Sequence, residues 1–135
     1  MTSSQSIAVT TVFGFGLAFV PAAWADPASD VCAALVDARS AQYSMMNTKD
    51  KSAQDALNAK VQAASTKLDS ALADMIRAHV RVGLDFKAVW DQFKATRDKE
   101  IIPAISKGDT DDAKKLANGI QLSRFSKMWS IMACK

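Results

Sequence analysis

Histidine is almost missing from this chain of 135 residues: His79 stands alone, beside two cysteines, three prolines and five glycines. Scarcity of these residue types leaves no Ser-His-Asp order, Cys-His pair, zinc-ligand spacing, phosphate-cradling glycine loop or paired-carboxylate signature, so the sequence does not read as an enzyme. Covalent haem attachment is excluded as well, because C-x-x-C-H is absent. Excess charge is lacking too. Seventeen Lys and Arg face fourteen Asp and Glu, a net charge of +3, and only 23% of residues are charged. That balance argues against a disordered tail and against a dedicated nucleic-acid binder. Glutamate is represented by Glu100 alone. The basic residues are interspersed with Asp and form no block, so they read as solvated helix faces. Internal repeats and low-complexity linkers are also missing, and one domain is expected.

Only the first 25 residues carry a long apolar run, from Ile7 to Val20, followed by Pro21 and by Ala23-Trp24-Ala25 directly before Asp26. A short apolar segment closed by a small-x-small motif predicts a secretory signal over 1–25 with cleavage before Asp26, although no Lys or Arg precedes the run. The run is short and glycine-rich for a membrane span. Nothing after Asp26 is apolar enough to cross a bilayer. The expected location is therefore periplasmic or secreted, with no membrane span after signal cleavage.

What is present is helical periodicity. Asp26-Pro27 is an N-cap followed by the residue suited to the first helical position, and Val31, Leu35, Ala38 and Met45 continue one stripe from it. A second, Ala-rich stripe runs from Ala53 through Val61, Ala64, Leu68 and Leu72 to Ile76, with Ser52 and Asp55 as its start signature. Asp85 is the natural cap for a third helix, within which Pro103 should force a kink or a bulge. Lys107-Gly108-Asp109 then reads as a break: glycine for a left-handed helix end, Asp109 as the next cap with Asp112 reaching back. The predicted helices are 27–48, 52–81, 85–107 and 110–133. The reading is all-α, an antiparallel up-down-up-down four-helix bundle over 26–135.

Cys32 and Cys134 decide the helix number. Helices of this size are about 33 to 45 Å long, so an odd number of antiparallel helices would leave the two thiols at opposite ends. An even number brings them within bridging range, and the expected compartment preserves disulfides. The alternative is two free buried thiols. The bundle is therefore expected to carry a terminal disulfide.

The stretch VWDQFKATRDKEIIPAISKGDTDDAKKLANG resembles the four-helix ligand-binding domains of methyl-accepting chemotaxis receptors. It has an aromatic-rich third helix, a short Gly-Asp turn and a fourth helix that opens with acidic and small residues. The resemblance covers about half the chain after Asp26. It implies a bundle that binds small molecules between helices or dimerises. The chain stops at Cys134-Lys135 without the second span and signalling region of such receptors, so the expected protein is a free-standing module.

Three arginines share one height, roughly 14 to 18 Å from the end carrying the termini: Arg39, Arg97 and Arg124. Converging guanidinium groups would grip a carboxylate or phosphate, whereas the simpler alternative pairs each with an Asp such as Asp37, Asp69 or Asp98. Phe86, Trp90, Phe93, Phe125 and Trp129 are expected to form an aromatic core in the half near the termini. His79 with Met75, Cys32, Met128 and Met132 sketches a copper(I) set, but methionines at helical spacing are more often core filler, so no metal and no cofactor are expected. The resulting expectation is a non-enzymatic binding or sensor-like module for a small organic anion, partnered by a second copy or a membrane sensor. Two alternatives are a cytochrome-like electron-transfer bundle built on His79 and a small periplasmic helical chaperone.

Overall fold

A computed structural model describes residues 26–135, so the signal segment expected at 1–25 lies outside the described residues. Helix α1 spans Pro27–Met46. Its start is as the sequence indicates: the Asp26 carboxylate accepts the Ala28 N–H at 3.0 Å and Pro27 opens the first turn. Helix α2 covers Lys51–Ala78 and is capped by Asp50 rather than Ser52, the Asp50 carboxylate accepting the Ala53 N–H at 3.1 Å. Gln54 steadies the connection by donating to the Thr48 carbonyl at 2.8 Å.

The third helix departs most from expectation. It begins at Val80, not Asp85, and α3 runs Val80–Thr96 with His79 as the single residue between it and α2. Gly83 lies inside α3 and is buried. A Cβ at this position would come within 2.6 Å of Ile76 Cγ1 and 2.9 Å of Ile76 Cα. The glycine therefore serves the close approach of two helices at a sharp corner, not chain reversal by a loop. Gly83→Ala is expected to lower stability by about 1–3 kcal/mol, because the Ile76 backbone must move as well as its side chain. Urea denaturation checks this, and an unchanged midpoint would show that the corner widens freely.

Beyond α3 the rod continues through a π-helical turn, Arg97–Ile101, into α4, Ile102–Lys107. Pro103 explains the turn. It has no N–H for the carbonyl four residues back and its ring would collide with that carbonyl. One inserted residue relieves both problems, and the Ile102 N–H bonds the Arg97 carbonyl five residues earlier. Gly108 ends α4 at φ 85° in the left-handed region, with the Asp109 N–H returning to the Ala104 carbonyl at 2.9 Å.

The expected last helix is two helices, α5 at Thr110–Asn118 and α6 at Ile120–Ile131. Asp109 precedes α5 without a side-chain capping bond, so the expected Asp109–Asp112 box does not form. At Gly119 a Cβ would stand 2.8 Å from the Lys115 carbonyl, which is why glycine occupies the break.

The result is an all-α four-helix bundle: α1, α2, the α3–α4 rod and the α5–α6 rod. A disulfide joins Cys32 near the start of the first to Cys134 after the last, with Cα atoms 5.7 Å apart. Its order, short connections and disulfide agree with an up-down-up-down course. No helix among the described residues is long and apolar enough to cross a membrane. Near the termini one core cluster gathers Val31, Leu35, Leu68, Leu72, Phe86, Trp90, Phe93 and Met128. At the far end a second gathers Met45, Val61, Ile101, Ile105, Ala113 and Ala117. On the exposed side of α3, Lys87 bonds Asp91 at 2.6 Å, and that hydrogen bond and charge hold its pKa above the usual lysine value.

Candidate functional site

Where each helix passes from one core cluster to the other, it buries a polar side chain. Gln42 in α1, Ser65 in α2, Thr96 and Arg97 in the third rod and Gln121 in α6 are all at most 9% exposed. The level is largely self-satisfied. Arg97 donates to Ser65 Oγ at 2.7 Å and to the Asp98 carboxylate at 2.9 and 3.3 Å, while Ser65 donates to the Val61 carbonyl. Gln121 Nε2 donates to the Phe93 carbonyl at 2.8 Å and its Oε1 accepts from Arg124 at 3.0 Å. Arg124 also reaches Thr96 Oγ1 at 2.7 Å. Among the described residues Gln42 Oε1 alone is buried without a hydrogen-bond partner.

The three candidate arginines therefore share a level but not a pocket. Arg97 is turned inward and, as the simpler expectation had it, paired with Asp98. Arg124 is tied to Thr96 and Gln121. Asp69 serves a different role, accepting from Trp90 Nε1 at 2.7 Å and from Lys94 at 3.0 Å. Arg39 differs in what holds it: its guanidinium carbon lies 4.3 Å from the Phe125 ring centroid and 4.9 Å from that of Tyr43, and, like Arg124, it is in no ion pair among the described residues.

Arg39 stands in a cleft because of how the helices pair. α1 packs along the length of α2, and α6 packs on α3, but α1 and α6 make no comparable backbone contact. The fourth side of the bundle is left as a groove. Its upper part is a cleft of about 530 Å³ lined by Val36, Arg39, Ser40 and Tyr43 from α1 and Phe125 and Trp129 from α6, with Asn118 at its end. Past Val36 and Trp129 the groove continues to the disulfide, lined by Asp26, Asp37 and Lys135. Phe125 and Trp129 stack at 5.5 Å between ring centroids, one helical turn apart. The Tyr43 hydroxyl donates to Asn118 Oδ1 at 2.7 Å and accepts from Arg39 at 3.3 Å, closing the far end.

No family model, curated protein or solved structure matches the chain.

Of the five aromatic residues expected in the core, Phe86, Trp90 and Phe93 are fully buried there. Phe125 packs at the margin and Trp129 lies outside the clusters, both half-buried in the cleft wall. Tyr43 and Asn118 were not singled out in the sequence. The available signal for Tyr43 was its place four residues after Arg39, where helical side chains meet. The copper(I) set loses a ligand, since Cys32 is held in the disulfide and offers no thiolate. His79 occupies the exposed corner between α2 and α3 while Met75 is buried in the core.

Proposed function

We propose that the protein is an exported binding module that holds a small organic anion in the α1–α6 cleft, with Arg39 as its anchor. One observation carries this reading: a guanidinium positioned by two aromatic rings in an open cleft, without a carboxylate partner among the described residues. Arg97 and Arg124 are each tied to two or more protein acceptors, whereas Arg39 has the Tyr43 hydroxyl alone among the described residues. Export is supported by the signal-like leader and by the disulfide, which persists in oxidising compartments. Likeness to chemoreceptor sensor domains agrees with a ligand held between helices and with a second copy or a membrane sensor as the downstream partner.

The test is isothermal titration of the purified protein with a panel of small carboxylates. At least one should bind in the micromolar to millimolar range, and Arg39→Gln should weaken it about tenfold or more, as expected for loss of charge-assisted bonds. Arg124→Gln should change affinity little. Absence of binding by every member at millimolar concentration, or equal binding by Arg39→Gln, would overturn the proposal.

A further inference from the structure

Building on the anion reading of the cleft, we infer that its ligand is a planar aromatic monocarboxylate, with the carboxylate on Arg39 and the ring between Val36 and Trp129.

The charge count sets the first limit. Among the described residues Arg39 is the single cation lining the cleft. One guanidinium balances one negative charge, whereas a phosphate dianion calls for more positive charge than the cleft holds. Geometry sets the second. Ring contacts hold the guanidinium through its π-system, and its single protein acceptor among the described residues is Tyr43 Oη at 3.3 Å. Its remaining in-plane N–H groups match the two oxygens of a carboxylate, a bidentate fit that a halide or an alcohol cannot reproduce. Asn118 adds a donor: its Oδ1 accepts from Tyr43, which leaves the amide Nδ2 for the ligand.

The walls set the third limit. Tyr43, Phe125 and Trp129 make three of the seven lining residues aromatic, and Val36 faces them while 39% exposed. A flat ring covers such walls with little loss of conformational freedom and gains offset stacking on Trp129. Beyond Val36 and Trp129 the groove is lined by two carboxylates, Asp26 and Asp37, against one ammonium, Lys135, so a second carboxylate at the distal end of the ligand would meet an excess of like charge. The ligand therefore carries its charge at one end only.

Titration calorimetry with five probes tests the inference: benzoate, its neutral amide benzamide, acetate, cyclohexanecarboxylate and terephthalate. Benzoate should bind about tenfold or more tightly than benzamide and acetate. It should bind about three- to tenfold more tightly than cyclohexanecarboxylate, the usual range for aromatic stacking. Terephthalate should bind more weakly than benzoate. In nuclear magnetic resonance spectra benzoate should shift the Trp129 indole N–H, and Trp129→Leu should cost several-fold in affinity. Trp129 lies outside the core clusters, and Trp129→Phe provides a second variant that keeps the wall aromatic and should retain most of the affinity. If acetate or cyclohexanecarboxylate binds as tightly as benzoate and still depends on Arg39, the aromatic class is overturned while the anion site stands. If benzoate binds without sensitivity to Arg39→Gln, or if no probe binds, the anion site falls with it.

Discussion

Removing the disulfide with Cys32→Ser and Cys134→Ser together is expected to lower stability by about 2–5 kcal/mol and the melting temperature by roughly 10–20 °C. The bridge joins residues 102 apart in sequence, and closing a loop of that size costs the unfolded chain about 4.7 kcal/mol of entropy in the polymer model. Packing gives a second reason for a large effect. α1 leans on α2 and α6 leans on α3, so the covalent link is the main tie across the open side. Losing it should loosen the groove before the core clusters, which draw on all four helical rods. Chemical denaturation should show the fall in midpoint, and hydrogen exchange should show weakened protection at the end of α6 and the start of α1. A loss under about 1 kcal/mol would mean that noncovalent packing holds the two ends together and that the chain-entropy account fails here.

Features governed by helix period were open to sequence reasoning. The stripe Val31, Leu35, Ala38, Met45 and the stripe Val61, Ala64, Leu68, Leu72 are buried as expected, and Cys32 and Cys134, placed near the two ends of an even number of helices, form the expected bridge. Features governed by contact between elements were not. Gly83 looks like a helix breaker when only its own propensity is considered, but the decisive fact is the backbone of Ile76 beside it, more than one turn back along the chain. Gly119 likewise interrupts a continuous stripe that periodicity alone carries from Ala113 to Ile131. The cleft was least visible. Arg39, Arg97 and Arg124 were placed at one height by rise per residue, but height does not say which guanidinium finds an acceptor. Ser65, Asp98, Thr96 and Gln121 satisfy two of them, and the opening between α1 and α6 leaves the third to Phe125 and Tyr43.

Arg97 provides the sharper test of what the buried polar level does. Its side chain is 1% exposed, yet the carboxylate it pairs with belongs to Asp98, which is 43% exposed and stays solvated. Arg97→Ala is expected to cost about 2–4 kcal/mol: the long side chain leaves a cavity against Trp90 and Ser65 loses a bond partner. Arg97→Met keeps most of the volume and removes the charge. Because Asp98 can return to water, no stranded buried ion results, and the methionine variant should lie within about 1 kcal/mol of the parent or exceed it. Urea denaturation of both variants reads the difference directly. If methionine proves as damaging as alanine, the guanidinium itself would be required, and its bond to Ser65 would then be what aligns the third rod with α2 at the π-helical turn. If methionine is tolerated, the register across this level must come from the apolar clusters on either side, and Arg97 is a filler whose charge is merely accommodated.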